Sequence, residues 1–273
     1  MQNYEFDRGN AVQKNEVTIH PTALIAKGAE IGRGVKIGPN VVIGPRVVLG
    51  DEVDIGAGAV IDGHTQIGPR SKIFSYATVG SIPQDLKYSG EEASLTIGSD
   101  NRIREYVNIS IGTEGGGGKT VIGNDNLIMA FSHIAHDCLI GNHCIIANSV
   151  QIAGHVVIGD GAVFGGMSGA HQFCRFGELV MVGAAAVVVQ DVPPFCMVQG
   201  DRASINGLNV VGIRRAKFTV DIVKDIKTMY RFIYSENLTI EDAVQKIEAE
   251  VKSSDIRDKF VKFLNESERG LCR

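Results

Sequence analysis

Counting in sixes from Ile19 lands on Ile25, Ile31, Ile37, Ile43, Leu49, Ile55, Ile61, Ile67, Ile73 and Val79 without a miss. After a break the count resumes at Ile122 and runs through Ile128, Ile134, Ile140, Ile146, Ile152, Ile158 and Phe164. It slips at Ala170 and recovers at Phe176, Val182 and Val188. Few architectures tolerate so short and so regular a period. Each unit is too small to bury its own apolar side, so it must stack on its neighbours, and the chain becomes a solenoid. An amphipathic helix would instead show a period of about 3.6.

Two residues ahead of each large aliphatic stands a smaller residue: Val17, Ala23, Ala29, Val35, Val41, Val47, Val53 and Ala59, then Ser132, Cys138, Cys144, Val150, Val156 and Ala162. A spacing of two is the strand period, so both side chains of a pair point the same way, into the coil. Glycine often follows the aliphatic, as in Ile31-Gly32, Ile37-Gly38, Ile43-Gly44, Ile55-Gly56 and Ile67-Gly68. Glycine takes up positive φ without strain, so these positions are expected to turn the corners. Six residues then form one short strand and one corner. Three such sides close a triangular coil of eighteen residues, and the predicted fold is a parallel β-helix, an all-β solenoid.

The β-helix is expected over residues 17–200, with its coils ending near 192, preceded by a loosely ordered polar extension at 1–16. Two insertions interrupt it. SIPQDLKYSGEEAS (81–94) keeps the six-residue phase but puts Asp85 and Glu91 where inward aliphatics belong, so it should leave the coil as a loop. GTEGGGGK (112–119) shifts the phase by one. Long loops on a compact scaffold are often functional. The repeat stops at Asp191-Val192-Pro193-Pro194, and from about Arg214 the period becomes helical: Ile222, Ile226, Met229, Tyr230 and Ile233, then Ile240, Val244, Ile247 and Val251. Thr239 with Asp242 reads as a capping box, and a further helix is expected from Asp255 to about Asn265. Residues 201–273 thus form a small α-helical domain.

Composition removes several function classes. A net charge of −4 with no basic run gives no reason to expect nucleic acid as a partner. The first sixteen residues hold no apolar stretch, so neither a signal peptide nor membrane insertion is expected. Of five cysteines, Cys138, Cys144 and Cys174 occupy the small inward position, which points to reduced thiols and a cytoplasmic location.

Chemistry concentrates in His133-Ile134-Ala135-His136-Asp137-Cys138. With eighteen residues per coil, His136 stacks beneath Gly154 and then Gln172, Asp137 stacks beneath His155, and His171 adjoins Gln172. One edge of three coils therefore gathers imidazoles, a carboxylate, an amide and a glycine N–H. A solenoid has no packing reason to collect that set. A histidine base held by a carboxylate, beside a backbone donor for an oxyanion, is equipment for acyl transfer to a hydroxyl or amine. His20, His64 and His143 read as solvated surface histidines. A rival reading lets His133, His136 and His155 bind a zinc-like ion, as in β-helical carbonic anhydrases. GGGGKT fails as a phosphate-binding loop, because Thr113 stands where its first glycine belongs, and it reads as a flexible loop.

Beyond the repeat, HIAHDC, LIGNHCIIAN, QIAGH (151–155), HQF (171–173), QDVPPF, QDLKY (84–88), NRIRE (101–105) and the terminal RGLCR resemble the UDP-N-acetylglucosamine acyltransferases. The resemblance runs from about residue 17 to Arg273. It implies a left-handed coil, although the general preference for right-handed crossovers argues the opposite. It also implies transfer of an (R)-3-hydroxyacyl group from acyl carrier protein to the 3-position of UDP-N-acetylglucosamine, the opening step of lipid A biosynthesis. That reaction proceeds in a cleft between subunits of a homotrimer, with no cofactor and no metal.

By the same resemblance His136 is the general base, Asp137 its orienting partner and Gly154 the oxyanion donor. Asp85, Lys87, His133, His155, His171 and Gln172 contact sugar, phosphate or acyl group, and Asn209 and Arg215 contact the nucleotide. Ala184 ends the acyl groove, with Gly166 and Asn148 stacked one and two coils earlier. The chain departs from the family pattern at Ser110-Ile111, Val211 and Ala216. Some members accept a 3-amino sugar and form an amide, and the sequence leaves that acceptor open. A related N-acyltransferase would need a further N-terminal domain, and a non-catalytic scaffold would need neither the His136 column nor the QDLKY loop.

Overall fold

The computed structural model describes residues 6–8, 17–236 and 238–273. Among them, strands mostly of two residues stack into three sheets of ten, eight and eleven strands. Pairing is parallel except at two ends: Phe6–Arg8 runs antiparallel against Leu24–Ala26, and Ser204–Leu208 against Cys196–Gln199. Part of the expected polar extension is therefore a strand, while the rest of residues 1–16 lies outside the described residues. The register advances eighteen residues per coil, placing Ile37 on Ile55 and Ile55 on Ile73. Ile67 pairs with Ile97, thirty residues on, so the first insertion leaves the coil and takes up twelve. Ile97 pairs with Ile122, twenty-five on, so the glycine-rich insertion takes up seven.

The inward column Ile43, Ile61, Val79, Ile109, Ile134 and Ile152 is fully buried. Ala170, where the count slips, continues that column directly above Ile152. Burying one such isoleucine contributes about 1.5–3 kcal/mol, and truncating it to alanine costs about 2–5 kcal/mol because the coils on either side cannot collapse into the gap. Buried Asn101 and Asn126 replace the small inward residue in two successive coils. Each meets backbone groups of its neighbours: Asn101 Nδ2 donates to Gly123 O at 2.8 Å, and Asn126 Oδ1 accepts from Cys144 N at 2.7 Å.

The corners are not made by the glycines that follow the aliphatics. Gly32, Gly38, Gly56 and Gly68 all lie outside the left-handed region. A β-carbon there would stand 2.6–2.9 Å from the backbone of the next coil, so those positions need glycine for close stacking. Positive φ falls three residues after the aliphatic instead, at Asn40 (56°), Arg70 (58°), Asp137 (60°), His143 (57°) and His155 (62°). Asn, Asp and His tolerate that region better than most residues.

The coils end at a buried aspartate. The Asp191 carboxylate accepts from Arg175 N–H (2.8 Å) and the Ser267 hydroxyl (2.7 Å). Its backbone N–H donates to Gly270 O, and its carbonyl accepts from Cys272 N–H. The C-terminal tail is thereby fastened onto the last coils. Between them, among the described residues, lie four helices: α1 (Val210–Arg215), α2 (Val220–Tyr234), α3 (Ile240–Glu250) and α4 (Asp255–Asn265). Thr219, Thr239 and Ser254 cap α2, α3 and α4, and the Thr239–Asp242 pair closes in both directions. Ile226, Met229, Phe232, Ile247 and Phe260 form their shared core. The six-residue α1 has too little periodicity to be read from sequence. No helix among the described residues is long and apolar enough to cross a membrane.

Candidate active site

The site is assembled at one corner of the coil, where the strand His133–Ile134 turns through Asp137 into Leu139–Ile140. The inward Ile134 and Cys138, both fully buried, fix the strand, and the corner between them carries His136 outward. Asp137 stays buried, with its carboxylate fully enclosed. Its Oδ2 lies 2.7 Å from His136 Nδ1. A carboxylate only accepts, so Nδ1 carries the proton and Nε2 presents its lone pair to the cleft.

One coil further on, Gly154 sits on the face of that ring: a β-carbon added there would be 2.6 Å from His136 Cε1. His155 meets His136 edge-on at 5.1 Å and stacks on Phe173 at 4.3 Å, continuing the column. Burial lowers the His155 pKa, with the nearby Asp137 charge opposing. Burial also lowers that of His133, and the neighbouring His136 adds to it. Both rings are therefore neutral donors or acceptors near neutral pH.

Two cavities flank this pair. One, of about 480 Å³, runs along the outer face of the first sheet and is lined by His133, His136, Gly154, Gly169, His171 and Val187. Its surface is mostly apolar. The other, of about 290 Å³, lies between the two inserted loops, where Asp85, Lys87, Glu91, Thr113, His155 and Phe173 make it polar. Asp85 Oδ2 stands 3.9 Å from His136 Nε2, with its backbone turn fixed by a bond from Lys87 N–H.

The structure thus brings Asp85, Lys87, His133, His136, Asp137, Gly154, His155 and His171 to one place. Gln172 is exposed and lines neither cavity. Ala184 is also exposed and outside both. Asn209 is buried, its amide donating to Leu179 O (2.7 Å) and capping α1 through Gly212 N–H (2.9 Å). Arg215 is exposed at the end of α1. Sequence reasoning missed Phe173 and the two threonines that serve Asp137. Thr113 donates to its carboxylate, and Thr120 Oγ1 accepts its N–H at 2.9 Å. Thr120 occupies the small inward position, which masks a polar role.

The expected trio of histidines is not gathered around one point. His136, Asp137 and His155 offer ligand atoms within 4.8 Å of one another, and His133 is not in that group. Zinc–nitrogen bonds of about 2.0–2.1 Å would draw tetrahedral ligands to about 3.4 Å, with the ion between them. Here Nδ1 of His136 faces the carboxylate at hydrogen-bond distance, leaving no room for an ion between the two.

Comparison with known proteins agrees with the geometry. A profile described as bacterial transferase hexapeptide (six repeats) matches residues 14–45, 28–63 and 119–154. One described as Udp N-acetylglucosamine O-acyltransferase, domain 2, matches 191–272. A relative from Anaeromyxobacter sp., named acyl-[acyl-carrier-protein]--UDP-N-acetylglucosamine O-acyltransferase, is 47% identical over 257 residues, covering 94% of this chain and 100% of its own. The chain belongs to the UDP-N-acetylglucosamine acyltransferase family. The acyltransferase of this family from Bacteroides fragilis superposes with a TM-score of 0.90 at 42% identity, covering 94% of this chain and 100% of that one. The Campylobacter jejuni acyltransferase gives 0.88 at 40% identity, covering 93% and 99%. The coil is accordingly the left-handed parallel β-helix of the UDP-N-acetylglucosamine acyltransferases.

Proposed function

We propose that the chain transfers an (R)-3-hydroxyacyl group from the thioester of acyl carrier protein to the 3-hydroxyl of UDP-N-acetylglucosamine, the first step of lipid A biosynthesis. The observation that carries this is the His136–Asp137 pair, capped by Gly154 and flanked by an apolar and a polar cavity. The names of the relatives supply the substrates. His136 Nε2 accepts the proton of the sugar hydroxyl as its oxygen bonds to the thioester carbon. The Gly154 N–H receives the oxyanion. Collapse breaks the carbon–sulfur bond, and the imidazolium returns its proton to the leaving thiolate. Asp137 holds the tautomer and offsets the imidazolium charge.

In this reading residues 17–200 carry the chemistry, while 201–273 hold the nucleotide and the carrier protein. Arg202, Arg214, Arg215 and Lys217 form the basic patch for that acidic carrier. Arg215 and Ala184, which line neither cavity in a single chain, serve the neighbouring cleft of a homotrimer, while Asn209 caps α1, the helix that ends in Arg215. Support for assembly comes from a stacked ladder, Tyr76–Tyr106 at 5.3 Å and Tyr106–Phe131 at 5.0 Å, whose rings are at least half exposed, with Met167 beyond. Contiguous exposed apolar surface of this kind marks an interaction face. Five free, buried cysteines support a reducing, cytoplasmic location.

The test is His136→Ala in a mass-spectrometric product assay. His136 is at a corner and not in the core, so the variant should stay folded and lose about a hundred- to ten-thousand-fold in turnover. A rate near that of the parent would refute the assignment.

A further inference from the structure

The glycine-rich insertion, which the sequence presents as a featureless connector, is what encloses Asp137. Thr113, its second residue, gives that carboxylate two donors, its N–H to Oδ1 at 2.8 Å and its hydroxyl to Oδ2 at 2.6 Å. The second of these shares Oδ2 with His136 Nδ1. The chain then makes one tight turn over Glu114–Gly116 and comes back, with Gly118 N–H donating to Thr113 O at 2.7 Å. This turn lays Gly116 directly on the carboxylate: a β-carbon there would sit 2.0 Å from Asp137 Cγ. Gly116 lies outside the left-handed region, so contact with Asp137, and not backbone conformation, demands its glycine. The far side of the turn is tied to the first insertion by Gly112 N–H to Ser94 O and Ser94 N–H to Gly118 O.

We infer that Thr113 and Gly116 form a clasp that positions Asp137 and, through it, the Nε2 lone pair of His136. The inference rests on reading His136 as the general base. An enclosed carboxylate must have its lone pairs satisfied, and Thr113 supplies two of the three donors to it that the structure shows. Those donors also fix the rotation of the carboxylate. With the Thr113 hydroxyl gone, Oδ2 is held by His136 alone, and the imidazole orientation loosens with it. Thr113 and Gly116 thus act through Asp137, as positioning residues.

The experiment compares Gly116→Ala, Gly115→Ala, Thr113→Val and Thr113→Ser with His136→Ala, measuring kcat, KM, their pH dependence and thermal denaturation. A β-carbon at Gly115 meets nothing within 4 Å. Displacing a catalytic group by about 1 Å costs about a hundredfold, so Gly116→Ala should lose that much in kcat while Gly115→Ala stays close to the parent. Thr113→Val should lose about tenfold in kcat with little change in KM, and Thr113→Ser should restore it. In Thr113→Val the acid limb of kcat/KM should move to higher pH, because a less-satisfied carboxylate holds the imidazolium more tightly. Asp85, Lys87, His133 and His155 also face the pair and are unaltered in every variant, so the movement reports on Asp137 and His136. Parent-like kcat in Gly116→Ala and Thr113→Val, alongside an inactive His136→Ala, would overturn the clasp. So would a kcat loss in Thr113→Val that serine does not rescue and that leaves the acid limb in place. Should Gly116→Ala fail to fold, Thr113→Val and its serine rescue decide alone. Parent-like turnover in His136→Ala would instead remove the base assignment beneath the inference.

Discussion

Replacing Gly154 with alanine should separate activity from stability in a single methyl group. The added β-carbon would stand 2.6 Å from His136 Cε1 and 2.8 Å from Nε2, whereas ordinary contact begins at 3.4 Å, so the ring must retreat by about 0.8 Å (3.4 less 2.6). It has little freedom to do so. Nδ1 is held at 2.7 Å by a carboxylate that is itself enclosed, so the ring must either give up that bond or swing Nε2 toward Asp85. A displacement of nearly 1 Å in a reacting group costs about a hundredfold, or about 2.7 kcal/mol of barrier. Stability should change far less. Gly154 is outside the left-handed region, so the about 0.4–1 kcal/mol that alanine gains by stiffening the unfolded chain is set against the contact it forces on His136. The assay is product formation by mass spectrometry at saturating donor and acceptor, with a melting curve on the same sample. A kcat within about threefold of the parent would show that the ring has room to move, and that the stacking of Gly154 on His136 does not govern Nε2.

Ala184→Met should shift selectivity toward shorter 3-hydroxyacyl donors and Ala184→Gly toward equal or longer ones, since each buried methylene is worth about 0.8 kcal/mol, about fourfold in binding. Donor competition reads this out, and an unchanged profile would transfer the role to another residue, such as Arg202. His133 and His155 are held below the usual 6.5 by burial, so acidification protonates the unfolded chain first. Stability should therefore fall as pH drops through about 6.5 and level off only below the lowered folded values; a His133→Gln, His155→Gln double variant should lose less Tm over that window, and equal losses would refute the point. Burial pushes the Cys138 and Cys144 thiols up to about 12 and those of Cys174 and Cys272 to about 11, and raises that of Cys196 as well. A thiol reagent at about pH 8 should label none of them promptly in the native chain and all five in denaturant; rapid native labelling would show that the coils open more readily than their packing implies.

Register was legible because the period tests itself: one slipped residue would turn every inward aliphatic outward, so the run from Ile19 to Val79 admits a single solution. The same arithmetic put His136 beneath Gly154 and Asp137 beneath His155 without any coordinates. What it could not resolve was why a given residue occupies its place. Glycine after an aliphatic satisfies two different demands, positive φ and close approach, and a one-dimensional pattern does not tell them apart. Only the distance from Gly38 to the Ile55 carbonyl does. GTEGGGGK was opaque for a related reason. Its period is broken, so nothing in it points to Asp137, and its composition matches that of a flexible linker, yet Gly116 is fixed by a contact with a residue on the next coil. Asn209 shows the converse, because its side chain is spent on capping α1 and on Leu179 O, a use that a motif match does not display.

The lock around Asp191 has a consequence for how the molecule comes apart. In a stack where each coil touches only its neighbours, fraying starts at whichever end is cheaper to open and advances one rung at a time. Beyond the first coil, among the described residues, lies only the short strand Phe6–Arg8, laid on Leu24–Ala26. At the other end, the tail from Ser267 to Cys272 must first leave Asp191, and the buried cluster around Phe195, Phe232 and Phe260 must be breached, before the last rungs are free. His133 to Phe173 lie toward that fastened end. Rungs can therefore be lost and regained at the open end while the candidate site remains assembled, so that site belongs to the last cooperative unit to melt.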